Sequence, residues 1–451
     1  MTMKKQNLRY MKWIGKMIVL LFIFNFQFSI FDCSAQRVSL DECLEKALES
    51  NFSIKIIRNE ARMDKNNLNY STFLPTLEGT AKQTQTRNDT KTENSAGEVN
   101  KMSDVKTDNY TAGVALNWRI FDGLEMFTTH EKQKELLAMG ELAVQQAVEN
   151  LILNVSAAYY NVLVQHHKLM AARHSLELSN ERYDEARVRY KIGNRSGLEA
   201  QQAKIDLNTD SSTYVRQKEA LKSAYITLNK LMNTDLQMVN YVQDTILLGP
   251  QLVLGTLEQK TLAGNTTLLI AKKDQKISAL DLKNARAVLF PTLDFNSGYN
   301  YNKTDTPSSS TTLNRSNGFY WGFSLNVPIF SRLQNRTKIK NAKLELENTE
   351  LSYQEAEKET LGDLALMYNS YENNLLMVNF EIESASVAEA NLDAALEKYK
   401  IGSLSGIEFR EFQRSYIDAV DRKLSAIYQA KVSELSLLLL SGDIRGSFAA
   451  E

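Results

Sequence analysis

Four histidines, two cysteines and 54 carboxylates are the side chains in this 451-residue chain that could hold a metal or move a proton. His130, His166, His167 and His174 fall on one stretch that reads as a single helix. His167 and His174 share a face of it, but a rise of about 1.5 Å per residue sets them roughly 10 Å apart, too far to hold one ion. Other chemistry-bearing patterns are missing: no GxSxG elbow, no HExxH pair, no P-loop and no GxGxxG loop. Carboxylates on helical stretches mostly stand near Lys or Arg, as Glu347 does after Lys343, the pattern of a solvated helix face. Neither an enzyme nor a resident cofactor is implied.

The elements that carry these residues follow from the chain's punctuation. With only 5 Pro and 19 Gly, turns are few and elements are long. Residues 1–35 read as a cleaved secretory leader: Lys4, Lys5, Arg9, Lys12 and Lys16, then an apolar run from Met17 to Phe31, then Cys33-Ser34-Ala35. Lipidation at Cys33 is the competing use of that segment, against which Asp32 is a poor lipobox residue. Beyond the leader stand 48 Lys/Arg and 53 Asp/Glu, a net charge near −5 that argues against a nucleic-acid partner. Only Cys43 remains, so no intramolecular disulfide can form despite the oxidising compartment. No later segment reaches 18 consecutive apolar residues, so no transmembrane helix is expected.

An internal repeat organises the rest. LNWRIFDG (116–123) returns as LNVPIFSR (325–332) and YKIG (190–193) as YKIG (399–402), both 209 residues on (325 − 116 and 399 − 190). TFLPTL (72–77) returns as VLFPTL (288–293) with the prolines 216 apart (291 − 75), which puts a variable loop between the proline and the LN motif. Residues 36–451 therefore read as one elongated body of two tandem repeats, 38–232 and 255–442, with a connector at 233–254 and a tail at 443–451.

Strands are expected at about 76–87, 109–121, 292–302 and 318–330. Leu293, Phe295, Tyr299 and Tyr301 alternate with polar residues, as do Phe319, Trp321, Phe323 and Leu325, and Tyr110, Val114, Leu116, Trp118 and Ile120. Period-two alternation with aromatics on one face is the mark of an outer-membrane barrel. A soluble half-buried sheet alternates in the same way, and the leader and the large aromatics favour the barrel. Residues 87–109 and 303–317 lack a hydrophobic period and read as surface loops. Four strands cannot close a barrel, and an open edge in lipid is costly, so the chain must oligomerise. The smallest such barrels have about eight strands, which leaves dimer and trimer both open on physical grounds.

The first helix is expected over 39–72, opened by a Ser39/Glu42 capping box and stopped before Pro75. Asp122–Tyr190 and 331–399 read as helices of roughly 100 Å. Val378, Ile382, Ala385, Ala388, Leu392, Ala395 and Tyr399 give one a coiled-coil seam, and Leu176, Tyr183 and Tyr190 give the other a seven-residue step. Gly193 and Gly402 suit the left-handed C-terminal position, after which return helices at 197–232 and 404–440 complete antiparallel hairpins.

VSLDECLEKALESN (38–51), the two strand entries at Pro75 and Pro291 and the duplicated Tyr-x-x-Gly turn resemble the TolC-like outer-membrane efflux family over about residues 38–442. The resemblance implies a mostly α fold of long antiparallel hairpins forming an α-barrel tunnel. Each protomer would add four transmembrane strands to the 12-stranded β-barrel of a homotrimer. It implies a passive channel in the outer membrane of a Gram-negative bacterium, with a long periplasmic extension. Its partners would be outer-membrane lipid, a periplasmic adaptor and an inner-membrane transporter of an efflux or secretion system. By motif position, Gly193, Asn194, Arg195, Ser196, Gly402, Ser403, Leu404 and Ser405 would form the adaptor-docking tip. Glu408 and Glu411 would ring a pore constriction, where clustering raises carboxylate pKa values; acids at a helix N-terminus are also favoured for their own sake. Tyr399 and Glu199 would meet as a hydrogen-bonded gate latch, although Leu404 stands where relatives often place Arg. The competing functions are a periplasmic adaptor-like protein, which would show one hairpin between β halves, and a coiled-coil scaffold, which would show no alternating aromatic strands.

Overall fold

The computed structural model of the protein describes residues 38–93, 95–193, 196–239, 242, 245–307 and 312–446. The leader assigned to 1–35 lies outside the described residues, as do Asn194 and Arg195.

Ser39 N–H donates to Glu42 Oε2 (3.2 Å) and Glu42 N–H to Ser39 Oγ (3.3 Å), the reciprocal cap that opens α1 (Leu40–Ser50). The single helix expected over 39–72 is instead broken. Asn51 turns extended (φ −60°, ψ 128°), and its side chain accepts from the N–H groups of Ser53 and Ile54 to start α2 (Phe52–Asn67). A short 3-10 turn, Ser71–Phe73, then leads to Pro75. An Asn side chain that satisfies orphan N–H groups makes a new start cheaper than continuation.

β1 (Thr76–Glu93), β2 (Val99–Phe121), β3 (Thr292–Asp305) and β4 (Leu313–Asn326) form one antiparallel sheet in that order. Most of the loop expected at 87–109 is in fact strand, paired from Arg87↔Lys106 out to Glu93↔Val99, and 303–305 pairs with 313–315. Thr90 and Thr92 suit extended backbone, and a ribbon in which Val105 alone is buried has no hydrophobic period to read. β4 stops at Asn326, short of the expected 330, because Pro328 has no N–H for a ladder. Its repeat equivalent is Arg119, and β2 runs on to Phe121.

The remaining helices are α3 (Glu125–Lys191), α4 (Gly197–Met232), α5 (Leu254–Gly264), α6 (Thr266–Ala287), α7 (Gln334–Lys400) and α8 (Gly406–Leu440). Asn265 divides α5 from α6 and caps α6 through Leu268 N–H, as Asn51 does in the first half. On α7 the buried row is a strict heptad: Leu364, Tyr371, Val378, Ala385, Leu392 and Tyr399, each at most 5% exposed. Ile382, expected on the seam, is 43% exposed. On α3 the expected row is displaced: Tyr190 is 54% exposed, whereas Ser175, Ser179, Arg182 and Ala186 are buried. Three of those four are polar, so an apolar search passes over them.

The described chain forms two compact units. Unit 1 takes residues up to Glu49, Asn154–Leu247 and Met377–Gln429; unit 2 takes Ser50–Leu153, Leu248–Leu376 and the chain from Ala430. Each draws on both halves of the sequence. Unit 1 is centred on Leu178, Leu392, Ala395, Tyr399 and Phe409. Unit 2 holds the sheet and a core of Leu257, Leu364, Tyr371 and Leu437. There Asn265 Nδ2 donates to Leu440 O (2.9 Å), and Gly442 (φ +75°) passes so close to Gly264 that a Cβ on it would lie 2.6 Å from the Gly264 carbonyl oxygen.

Candidate functional site

In unit 2 the strand register sorts the sheet into two chemically different faces. Leu77, Leu116 and Ser297 align across it, then Ser297 with Trp321; Phe295 pairs with both Trp118 and Phe323, and Tyr299 with both Val114 and Phe319. That face is aliphatic and aromatic, and it is open: Phe319, Trp321, Phe323 and Leu325 are each at least 62% exposed. The opposite face carries Thr80, Gly113 and Asn300 in one row and Ala115, Gly298 and Tyr320 in the next. It is crowded. A Cβ at Gly113 would lie 2.5 Å from Asn300 Oδ1, and one at Gly298 would lie 2.8 Å from the Tyr320 hydroxyl. Side chains that fold over neighbouring glycines fit the inside of a curved sheet, and an aromatic ring over a strand glycine restores the contact glycine lacks. The charges on this face come in both signs, with Arg119 Nε 2.9 Å from Asp294 Oδ1.

In unit 1 the two helix turns share one design. Gly193 (φ +73°) and Gly402 (φ +78°) take the left-handed conformation, with Gly193 N–H donating to Tyr190 O and Gly402 N–H to Tyr399 O, both at 3.0 Å. Ser403 N–H adds a bond to Lys398 O (2.9 Å), which completes a Schellman-type end. Ser196 caps α4 through Leu198 N–H. Leu404, half-buried, packs against the unit 1 core, and Ser403 and Ser405 are exposed. Four aliphatic side chains that the sequence analysis passed over stand around the turns: Ile192, Leu198, Ile401 and Ile407, each at least 69% exposed. They are repeat pairs, 192 with 401 and 198 with 407, and that duplication was the signal available to find them.

Glu408 belongs to a capping box at the start of α8: its Oε2 accepts from Ser405 N–H (2.9 Å) and Ser405 Oγ (2.7 Å). The Ser405 backbone bond and then its hydroxyl hold the carboxyl below its ordinary pKa within one chain, opposite to the shift expected of a clustered ring. Glu411 is exposed three residues on. Tyr399 and Glu199 line one cavity, but the hydrogen bond expected between them is not formed. The Tyr399 hydroxyl is buried and has no partner among the described residues. Its ring stacks on Phe409 (5.3 Å), with the Arg189 guanidinium 5.3 Å from its centroid, and burial raises its pKa.

A polar knot beside the turns also escaped the sequence analysis. Asp210 on α4 accepts from Arg410 Nη1 (2.6 Å) and Nη2 (2.7 Å) on α8 and from Ser179 Oγ (2.5 Å) on α3. Gln413 Nε2 donates to Ser175 O (2.8 Å) within it. One turn nearer the helix ends, buried Arg182 pairs with Asp206 and donates to Gly406 O (3.2 Å). Among the described residues none of these side chains has a fully buried polar atom without a partner, a structural arrangement more than a reactive one. Among the described residues no group of three His, Cys, Asp or Glu side chains could hold a metal ion.

The family model described as outer membrane efflux protein matches residues 43–234 and 257–443, nearly the whole described chain. The chain belongs to this family. It is therefore an outer-membrane efflux channel protein, and the family is one of channels and not of enzymes. It is similar to the cation efflux system protein CusC of Escherichia coli K12, 23% identical over 335 residues, 71% of this chain and 70% of CusC. It is also similar to the outer membrane protein TolC of the same strain, 20% identical over 343 residues, 72% of this chain and 68% of TolC. Its fold matches the crystal structure of the Campylobacter jejuni CmeC outer membrane channel with a TM-score of 0.76 at 18% identity, over 90% of this chain and 86% of CmeC.

Proposed function

We propose that three copies of the chain close their four-stranded sheets into one 12-stranded outer-membrane barrel above a periplasmic tunnel of helical hairpins. The conduit is passive and takes cargo from an inner-membrane transporter through a periplasmic adaptor. The observation that carries this reading is the two-faced sheet: an open apolar face for lipid, a glycine-crowded polar face for a lumen, and β1 and β4 as its edges. In lipid such edges must pair, and only a second copy offers the complementary one. Exposed Leu344, Leu351, Leu366 and Phe380 on α7, and Phe52, Ile56 and Met63 on α2, are further apolar surfaces that assembly would cover.

The repeat supplies a closing register. β4 stands to β1 of the next copy as β2 stands to β3, so the observed Leu116↔Ser297 pair becomes Leu325 opposite Ala81 of the next copy. The two turns, Gly193-Asn194-Arg195-Ser196 and Gly402-Ser403-Leu404-Ser405, serve as the adaptor-docking tip, flanked by the four exposed aliphatic residues. Glu408 and Glu411 of three copies give six carboxylates around the entrance and favour cations there. Purified protein in a planar bilayer tests both levels. Stable conductance with a cation preference that falls in Glu408→Gln plus Glu411→Gln is the expected result. No conductance would sink the channel reading, and an unchanged cation preference would remove the acids from the path.

A further inference from the structure

In unit 2 both passages from strand to helix are strained at a leucine. β2 ends at Phe121 and α3 begins at Glu125; β4 ends at Asn326 and α7 begins at Gln334. Between them Leu124 (φ +71°) and Leu333 (φ +66°) hold left-handed backbone, each after a second left-handed residue, Gly123 and Arg332. Glycine takes that conformation freely, whereas a leucine there is an outlier. Burial does not offset the strain, because Leu124 is 57% exposed and Leu333 61%. A next copy paired to β4 would not cover Leu333 either. Its repeat equivalent, Leu124, follows a strand already flanked by β1 and β3 and is still open. The open apolar row of the sheet leads to the same place, through Trp118 and Ile120 in one repeat and Leu325 and Ile329 in the other. Strained leucines that face outward in both repeats point to an apolar medium outside the chain.

The two junctions share a cap and differ in charge. Asp122 Oδ2 accepts from Met126 N–H (3.0 Å), and at the equivalent place Ser331 Oγ accepts from Asn335 N–H (3.4 Å). Residues 118–135 hold three Lys/Arg and four Asp/Glu, whereas their equivalents 327–344 hold five Lys/Arg and no carboxylate. The same backbone therefore forms with either charge. Arg336 and Lys340 stand four residues apart on one side of α7, both exposed, and their equivalents Phe127 and Glu131 are exposed as well. Neither side chain forms an ion pair or a hydrogen bond among the described residues. A cation in the first turn of a helix opposes its dipole, so α7 itself does not stabilise Arg336. Side chains on a helix lean toward its N-terminus, which brings both cations back toward the junction.

We propose that the second junction is a site for an anionic phospholipid of the periplasmic leaflet, with Leu333 in the acyl layer and Arg336 and Lys340 on the headgroup phosphate. The proposal rests on the barrel reading, which sets these strand ends at the inner surface of the outer membrane, and it names the lipid which that reading leaves open. A zwitterionic headgroup carries its own cation beside the phosphate; an anionic one leaves a negative charge for the protein to meet. The first junction, with Glu125 and Glu131, has no such surplus of cations.

The test places a probe at the leucine. The full chain with Leu333→Trp, Trp118→Phe and Trp321→Phe, which leaves one tryptophan in the mature protein, is reconstituted in phosphatidylcholine bilayers. These are doped with chain-brominated phosphatidylglycerol or chain-brominated phosphatidylcholine, which quench tryptophan emission on contact. Both should quench, phosphatidylglycerol with an apparent affinity at least roughly five-fold higher, the worth of one surface cation. Adding Arg336→Gln and Lys340→Gln should bring the two lipids to parity and leave quenching by phosphatidylcholine unchanged. Equal quenching before those changes, or a preference that survives them, would overturn the headgroup site. A chain with Trp118→Phe alone, which keeps Trp321 on the sheet, separates the two levels. If Trp321 is quenched and the Leu333→Trp chain is not, the lipid site fails with the barrel intact. If neither is quenched, the barrel reading itself fails.

Discussion

Gly322 and Phe323 are neighbours on β4 whose side chains leave opposite faces of the sheet at nearly one height, so an arginine at each separates lipid from lumen. Phe323 is 62% exposed on the apolar face, and a Cβ at Gly322 meets nothing within 4 Å on the polar one. Neither substitution creates a clash within the chain, so the difference between them reports on the medium each face meets. An arginine facing lipid near the bilayer midplane costs about 2–4 kcal/mol in a transmembrane barrel. Loss of a phenyl ring that faces lipid instead of water adds roughly 1.5–3 kcal/mol. At one charge per copy the two costs sum to at least about 3.5 kcal/mol, so Phe323→Arg should shift the folding equilibrium by at least roughly three-hundred-fold per protomer, since about 1.4 kcal/mol is tenfold. Gly322→Arg should stay within about 1 kcal/mol of wild type. Denaturant unfolding in lipid vesicles, followed by tryptophan emission and by heat-modifiability on gels, measures both. Equal costs, or a larger cost for Gly322→Arg, would refute the assignment of faces and the barrel with it.

Asp210→Ala leaves the half-buried Arg410 guanidinium unpaired and should cost about 3–5 kcal/mol in thermal unfolding of the helices, whereas Asp210→Leu with Arg410→Met should recover most of it; an additive double variant would contradict the pairing. Gly442→Ala must hold a Cβ at φ +75° against the Gly264 carbonyl and should lose about 1–3 kcal/mol, while Gly446→Ala, with no contact nearer than 3.5 Å, stays near wild type; equal melting temperatures would dismiss the close approach. Hydrogen bonds from Lys276 and then Lys273 hold the Glu135 carboxyl below its ordinary pKa, so the unfolded state binds the more protons. Its stabilisation is therefore full above the ordinary carboxylate range and lost as pH falls through the lowered value. Glu135→Gln should flatten that part of the acid limb of a stability–pH curve, and superimposable limbs would contradict the reading.

Long elements were legible because their signals are long. Sixty-seven-residue α3 and α7 lack proline, and Gly193 and Gly402 end their turns where left-handed backbone was expected. The alternating aromatics of β3 and β4 needed no context, because period two survives any packing. Three features were hidden for identifiable reasons. The breaks at Asn51 and Asn265 rest on one capping side chain each, a signal no louder than any surface asparagine. The outer ribbon of β1 and β2 buries only Val105 among its described residues, too little to impose a period. The α3 seam runs through Ser175, Ser179 and Arg182, whose burial depends on Asp210 and Asp206 arriving from another helix. At the tip, motif position located Glu408, but only the coordinates placed its carboxylate on Ser405 and left the Tyr399 hydroxyl without the acceptor assigned to it.

The most direct test of the central claim is a disulfide across the proposed seam between copies. Leu325→Cys with Ala81→Cys, in a chain that carries Cys33→Ser and whose Cys43 is buried, should oxidise into covalent dimers and trimers in outer-membrane extracts. Neither single variant should give the trimer, and shifting one partner to Lys82→Cys, on the opposite face, should suppress both products. Cross-linking in that pattern is what a barrel closed by β4 on β1 of the next copy predicts. A double variant that remains monomeric under oxidation, in protein still extracted from the outer membrane, would contradict it.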